Sequence, residues 1–395
     1  MDKESSSQQK LYLGFDVSEK SIEVFGVCGT QSTEKAIRIE NSRSSIQSLL
    51  THFKDKEQVC IVMETGTHST WMSRYIREIG FEVIVAHARD LALIYGASKK
   101  NDRIDAEKLA RLAQADRKLL HPIEHMSEER QQDLMIIKCR ALLIKQRTQL
   151  INTIRGMLRT FGIKDHSTSV RNVKNFELSN LPSQVITALS PLLQQIRFTE
   201  MQIRYYDREI TKLYKKYQAT EILRQIRGVG PAISLTFVLL VGDISRFPDP
   251  KRLAAYFGVV PKQDQSGETD KQTNITKAGN SLMRVLLIQG AQYILGPFGT
   301  ECDLRDYGKR IEARGGAIAK KKARVAVARK LIILMHRLWS NPEKEYIPCF
   351  KAQNREKHIK LRKVLEQQGY RQGIIHNPLT NLVWQECSEY RMVDW

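Results

Sequence analysis

Residues 11–27 read LYLGFDVSEKSIEVFGV, and residues 60–66 read CIVMETG. In the first stretch two apolar, strand-like runs flank the polar SEK, and in the second an apolar run ends on a carboxylate. KAIRIE (35–40) adds a third short strand, so the opening reads as a meander of three strands separated by turns. SRSSIQSLLTHFKD (42–55) has helical periodicity and begins with serines suited to capping. Strand QVCIVME (58–64), helix STWMSRYIREIG (69–80) and strand FEVIVAH (81–87) follow, then helix, loop and helix through residue 116. Strands alternating with helices in this order predict a mixed α/β sheet with parallel crossovers. Residues 1–10 (MDKESSSQQK) read as a disordered tail.

The whole chain has 395 residues, room for two or three domains, and 42% hydrophobic residues, enough for a real core. Its 63 Lys and Arg against 43 Asp and Glu leave a net charge of +20, which favours a nucleic acid as partner, with a ribosome-associated or merely soluble basic protein as the plainer alternative. The six cysteines (Cys28, Cys60, Cys139, Cys302, Cys349, Cys387) form no C-x-x-C pair and read as reduced or incidental thiols. No apolar h-region opens the chain, and no run approaches the ~18 residues of a membrane span. A cytoplasmic protein is expected.

Against this basic background four acids stand out. Asp16 lies in the first strand, Glu64 ends the apolar strand, and Asp102 and Asp105 lie three apart in KKNDRIDAEKLARLA, where a helix brings them to one face. A carboxylate cluster would repel a polyanion unless a divalent cation stood between them, and oxygen ligation of one or two Mg²⁺ or Mn²⁺ ions would make a phosphodiester-cleaving centre. Each acid taken singly also suits a cap or a surface position. Strand-Asp, strand-Glu and helical D-x-x-D together match an RNase H-like layout. The opening LGFDVSEKSIEV also suits sugar-kinase and actin-like ATPases, but the later Asp-Gly phosphate motif and Gly-rich adenosine loop of those folds are missing from the sequence.

Beyond residue 126 the pattern turns helical. Ile136, Leu143, Leu150 and Met157 recur every seven residues, Ile154 and Phe161 fill the alternate seam, and Arg140 and Arg147 interrupt it. Val185, Leu189, Leu192, Ile196, Ile203, Tyr206, Ile210 and Leu213 keep a 3–4 spacing after the polar segment 162–183. Two long amphipathic helices joined by a loop predict an antiparallel coiled coil or dimerisation arm, with an ordinary bundle as the alternative. LRQIRGVGPAISLTFVLLVGD (223–243) resembles a helix-hairpin-helix, in which Gly228 and Gly230 allow a tight turn and a phosphate can sit on exposed N–H groups. A plain helix-to-helix turn fits the same residues. Polar turns are expected after Tyr256, then a helix from Ser281 to Leu295. Arg314 to Lys330 carries Arg314, Lys320, Lys321, Lys322, Arg324, Arg329 and Lys330 without one acid, suited to a phosphate backbone or to a solvated face.

DV-x-x-x-S after Phe15, METGTHS, KKNDRIDAEKLARL, IRGVGP and YFGVVPKQDQSGE…ITKAGNSLMRVLLIQGA, in this order over residues 11–340, resemble the DEDD transposases of the insertion-sequence family one-ten, which carry Transposase-20-type C-terminal domains. The K-x-G-N-x-x-x-R-x-L-L pattern is similar to its sister subgroup. The resemblance implies an RNase H-like (RuvC-like) α/β domain over 11–120, a helical coiled-coil domain over 127–218, and a mainly α transposase domain with the hairpin over 219–340. Residues 341–395 extend past the resemblance. It implies Asp16, Glu64, Asp102 and Asp105 as a Mg²⁺ or Mn²⁺ tetrad, and a serine nucleophile forming a 5′-phosphoserine with DNA. Ser266 in DQSGE matches the family's S-G position. Ser281 is the rival, and N-capping is its alternative role. Lys277 and Arg284 are candidates to contact phosphate in the transition state. The resemblance further implies donor and target DNA, a structured guide RNA encoded by the element, and a bacterial or archaeal, nucleoid-associated protein. Homodimers assembling into a tetramer would form composite sites between protomers. An RNA-guided recombinase is thus expected. The alternatives are a RuvC-like junction nuclease using metal-activated water, and a non-catalytic nucleic-acid-binding protein on the same scaffold.

Overall fold

A computed structural model describes residues 10–33, 36–87, 102–163, 181–266 and 269–349. The chain divides into two compact units, Met1–Ser127 and Glu128–Trp395.

The first unit contains β1 (Leu11–Val17), β2 (Ser21–Cys28), β3 (Gln31–Ser32), β4 (Ile37–Glu40), α1 (Arg43–Leu50), β5 (Val59–Glu64), α2 (Ser69–Glu78), β6 (Glu82–Ala86) and α3 (Asp102–Ala115). The strand order is β3-β2-β1-β5-β6, with β4 also on β2. The pairs β1–β2 and β2–β4 are antiparallel, whereas β1–β5 and β5–β6 are parallel. The mixed sheet read from the sequence is therefore present. Ser42 caps α1 by accepting from the Ser45 N–H at 3.2 Å. The expected tail lies outside the described residues as far as position 9, but Lys10 is placed by an ion pair to Glu82 at 2.6 Å. The helix and loop expected before Asp102 lie outside them too.

Strand alternation gives the sheet two covered faces. Leu13, Phe15, Ile22, Val24, Ile61, Met63, Val83 and Val85 pack with Ile46 and Leu50 of α1 and Met72 and Ile76 of α2. On the other face Cys60, Val62 and Ile84 meet Leu109 and Ala113 of α3, and Phe25 and Val27 meet Ala106 and Ala110. Small residues at 106 and 110 let α3 lie close to the sheet. Gly14 completes the fit, because a Cβ there would stand 1.9 Å from the Ala106 carbonyl oxygen and 3.0 Å from the Ala110 nitrogen. Beyond the helix, Arg117 reaches the Tyr12 hydroxyl at 3.2 Å and Glu82 at 2.6 Å, at the strands' opposite end. So α3 starts at the C-terminal ends of β1 and β5 and runs back along them.

The second unit contains α4 (Glu128–Thr160), α5 (Ser183–Lys216), α6 (Gln218–Arg224), α7 (Pro231–Val241), α8 (Pro250–Tyr256), β7 (Pro261–Ser266), β8 (Thr269–Ile275), α9 (Ser281–Leu295), α10 (Asp303–Glu312) and α11 (Gly316–Ser340). It is mainly helical. α4 and α5 run antiparallel: Asp133 meets Lys216 at 2.8 Å, Arg140 meets Asp207 at 2.5 Å, and Ile151, Ile154 and Leu158 pack on Leu189, Leu193 and Ile196. Most of the expected loop between them, 164–180, lies outside the described residues. Ile154 is buried as the alternate seam expects, but Ile137, Ile151 and Leu158 are buried one residue on from the heptad members Ile136, Leu150 and Met157, with Leu134 beside them. Met157 (46%) and Phe161 (58%) are exposed. The two registers differ by only 100° of helix rotation, and leucines, isoleucines and methionines occupy both, so the sequence pattern left the choice to the partner helix. On α5 the spacing holds at Leu189, Ile196, Ile203 and Ile210, joined by Leu193 and Tyr214.

The polar turns expected after Tyr256 are instead a two-stranded antiparallel ribbon, β7–β8. A backbone ladder needs no apolar side chains, so hydropathy did not register it. Among the described residues no helix is long and apolar enough to cross a membrane, and the five described cysteines are free thiols. Replacing Gly14 by Ala should lift α3 from the sheet and cost about 1–3 kcal/mol. The midpoint of urea unfolding should fall accordingly, and an unchanged midpoint would show that the close α3 contact is not required.

Candidate functional site

Asp16 lies on β1 on the same face as Gly14, the face covered by α3. Its direct antiparallel partner is Glu23 of β2. The parallel register pairs Phe15 with Met63, so the next position sets Asp16 beside Glu64 at the end of β5. Glu23, Asp16 and Glu64 therefore form a row across three adjacent strands spaced about 4.8 Å apart. The row continues to Arg38 of β4, whose Nε lies 3.3 Å from the Glu23 carboxylate. Like charges placed side by side oppose folding, so such a row calls for positive charge. Arg38 supplies some of it. The dipole of α3, whose N-terminus comes to this end of the sheet, supplies more.

Asp102 is the first residue of α3 and Asp105 lies in its first turn, next to the Ala106 that touches Gly14. Three separated segments, β1, β5 and the first turn of α3, thus deliver the four predicted acids to one end of one sheet face. Glu64 is exposed, Asp16 half-buried, and Asp105 is in contact with Lys108 at 3.3 Å. Among the described residues no three His, Cys, Asp or Glu side chains stand close enough to hold an ion in this arrangement, and the Asp102 side chain is outside those described. The donor set fits a hard divalent cation, being carboxylate oxygen throughout. Glu23 escaped the sequence reading. Its signal was positional: a two-stranded turn centred on 18–20 pairs residue 16 with residue 23.

In the second unit a groove of about 1270 Å³ opens between α11, the start of α8 and the base of the β7–β8 ribbon. Lys251, Lys277, Lys321, Lys322, Arg329, Lys330 and Arg337 line it, against Asp249 as the one acid among the described residues. Of the predicted basic residues, Lys277, Lys321, Lys322, Arg329 and Lys330 reach the groove, whereas Arg284, Arg314, Lys320 and Arg324 are not in its wall. Lys251 and Arg337 were missed. Ile318, Lys322, Val325, Arg329, Ile333 and Arg337 recur at helical spacing, which marks the face once α11 is known to extend to Ser340.

Ser266 is the last residue of β7, paired with Thr269, while Gly267 lies outside the described residues. Five residue steps of strand put it about 17 Å from Pro261 at the groove. The serine is thus carried on a ribbon whose described flanks Lys262, Gln263 and Asn274 are exposed. Ser281 is the first helical residue of α9, and the cap is Asn280, whose side chain accepts from the Met283 N–H at 3.0 Å. The capping role expected of Ser281 belongs to its neighbour, because the side chain must precede the first helical turn to reach that N–H.

The ribbon's base is tied by two glycines. Gly258 (φ 67°) and Gly279 (φ 67°) are left-handed, and a Cβ on either would stand 2.3 Å from the Ala278 carbonyl or 2.0 Å from the Tyr256 carbonyl, respectively. Between them Lys277 holds φ 55°, its N–H bonded to the Gly258 carbonyl at 3.1 Å. Arg284 turns Nη1 to the carbonyls of Phe257 (3.3 Å), Gly279 (3.0 Å) and Ala278. Gly228 (φ 98°) backs onto α9, where a Cβ would meet Ile294 at 3.0 Å, and Gly230 is the N-cap of α7. α7 is buried from Ile233 to Val241, a core helix.

Residues 220–299 match the family described as Transposase IS116/IS110/IS902, and residues 13–163 match a DEDD transposase domain of the IS110 type. A DEDD domain of this type implies dependence on a divalent metal. The transposase for insertion sequence element IS1111A of Coxiella burnetii is 30% identical over 331 residues, covering 80% of this chain and 86% of that protein. The transposase for element IS1328 of Yersinia enterocolitica is 25% identical, covering 78% and 87%. The pilin gene-inverting protein of Moraxella lacunata is 24% identical, covering 83% and 95%.

A Gly258→Ala substitution should destabilise the second unit by about 2 kcal/mol or more, since it adds left-handed strain to a backbone clash. Thermal unfolding of the full chain reads this out. A melting temperature equal to that of the parent would separate the two turns.

Proposed function

We propose, on the premise that this chain belongs to the IS116/IS110/IS902 family of transposases and is an enzyme acting on DNA, that it recombines DNA through a serine nucleophile assisted by a carboxylate-held metal. The observation that carries this reading is the row of Asp16 and Glu64 at adjoining strand ends, with the D-x-x-D turn of α3 brought to the same end by the Gly14 contact. That arrangement supports an RNase H-like (RuvC-like) assignment for the first unit. Asp16, Glu64, Asp102 and Asp105 would hold Mg²⁺ or Mn²⁺, which when bound would neutralise charge on a phosphate oxygen.

Ser266 is the proposed nucleophile. Its Oγ forms a bond to phosphorus, the P–O3′ bond breaks, the hydroxyl proton passes to a base and the departing 3′ oxygen takes up a proton. The DNA end is left as a 5′-phosphoserine, and the reverse reaction with a different 3′ hydroxyl rejoins the strand. Conserving the phosphodiester bond in this way suits exchange rather than hydrolysis. The inverting activity in the name of the Moraxella relative supports rearrangement by strand exchange.

The groove lined by Lys251, Lys277, Lys321, Lys322 and Arg329 suits a phosphate backbone, with Lys320 and Arg324 as flanking contacts and Gly228–Gly230 as a further backbone site. Lys277 is the better phosphate ligand of the predicted pair, since Arg284 directs Nη1 to main-chain carbonyls. Donor and target DNA, a structured guide RNA from the element, and homodimers joined through α4–α5 and paired into a tetramer complete the proposal. The coiled-coil arm is supported by exposed Leu142, Met201 and Tyr205 on the helical pair.

The test is covalent trapping. With element RNA, nicked DNA and Mg²⁺, the parent protein should form a protein–DNA adduct resistant to denaturant, and Ser266→Ala should bind the same DNA with none. An adduct persisting in Ser266→Ala would place the nucleophile elsewhere. Cleavage by the parent with no adduct at all would favour a junction nuclease using water. Undiminished recombination by Asp16→Ala would favour a non-catalytic first unit.

A further inference from the structure

The segment that leaves α3 does not simply depart from the first unit. Leu120 accepts from the His87 N–H at 3.1 Å, and Ile123 bridges Val85 by donating its N–H at 2.9 Å. The main chain at Met126 accepts from Arg74 of α2. This strap thus covers the outer edge of the sheet at β6 and ends against the first turns of α2. There His125 Nε2 lies 3.0 Å from the Ser69 Oγ.

Ser69 is 1% exposed and fully engaged. Its hydroxyl donates to the Gly66 carbonyl at 2.9 Å and accepts from the Gly66 N–H at 3.1 Å. With its one proton committed, Ser69 can take only a donated hydrogen from His125, so the imidazole presents Nε2–H. Burial, then Arg74 and Arg77, pulls the His125 pKa below its ordinary value, which favours the neutral ring carrying that hydrogen. A serine so buried and so bonded is no nucleophile. What it holds is the backbone of Gly66, two residues after Glu64. The Thr65 N–H is bonded to the Ala86 carbonyl at 2.9 Å. A Cβ at Gly66 would meet nothing within 4 Å, so at Gly66 itself these hydrogen bonds act without close packing beside them.

We propose that His125 is a positioning residue for Glu64, acting through Ser69 and the Gly66 peptide. The strap that begins at the D-x-x-D helix thereby locks the turn behind the acid at the end of β5, so that the contributions of α3 and β5 are set together. The inference rests on the reading of Glu64 as a metal ligand.

The experiment is Mn²⁺ binding to the full-length protein without DNA, followed by calorimetry, with unfolding midpoints measured in parallel. His125→Ala should keep the fold and bind Mn²⁺ on the order of 10-fold more weakly, as loss of outer support for a ligand does. Ser69→Ala should lose as much, the double variant should lose no more than either, and His125→Gln, which can again donate, should recover most of the affinity. A folded His125→Ala protein with the parent's Mn²⁺ affinity overturns the proposal. So does failure of His125→Ala and Ser69→Ala alike to fold, which would make the link a scaffold element. Glu64→Gln separates the two layers: if it leaves Mn²⁺ affinity intact, the metal reading fails first. If it abolishes binding while His125→Ala does not weaken it, only the positioning role fails.

Discussion

The contact between the Gly14 backbone and the Ala106 carbonyl is the constraint on which the first unit turns. It lets a helix lie against a sheet with no side chain between them at that point. Because α3 is held at this distance, its first turn arrives where β1 and β5 end, and residues nearly ninety positions apart in the chain share one end of one face. The cost is electrostatic. A sheet that places Glu23, Asp16 and Glu64 in consecutive strands gathers negative charge, which Arg38 offsets at one side. Such a concentration of charge is tolerated where function requires it.

The second unit solves the opposite problem, a surplus of positive charge. α11 buries Ala323, Val327, Leu331 and Met335 and turns Lys321, Lys322, Arg329, Lys330 and Arg337 to a groove whose one acidic wall residue among those described is Asp249. The groove meets the ribbon at the interlocked Gly258 and Gly279 turns, so the groove's positive charge and the strand that carries Ser266 share a base. Lys277 occupies a left-handed conformation there, a strained backbone in the wall of the basic groove.

The helical pair shows how closely packing can be argued from sequence before it misses. The existence, length and pairing of α4 and α5 were legible in the apolar spacing. The register was not, since Ile136 and Ile137, or Met157 and Leu158, are equally apolar and adjacent. Likewise the β7–β8 ribbon, built of PKQDQS and TDKQTNI, has no apolar alternation to betray it, and its backbone ladder alone makes it a hairpin.

By itself, then, the sequence determined what is periodic or chemically singular: the order of strands and helices in the first unit, the four acids against a charge of +20, the glycine-marked turns and the basic stretch before Lys330. Those follow from local propensity and composition, which need no partner. Only the tertiary structure decided that Glu23 stands beside Asp16, that Lys321 and Lys322 face the groove while Lys320 and Arg324 do not, that Asn280 rather than Ser281 caps its helix, and that His125 closes on Ser69. Each of those depends on register or on contacts between segments distant in the chain. These are set by strand pairing and close packing, for which no single stretch of sequence carries the signal.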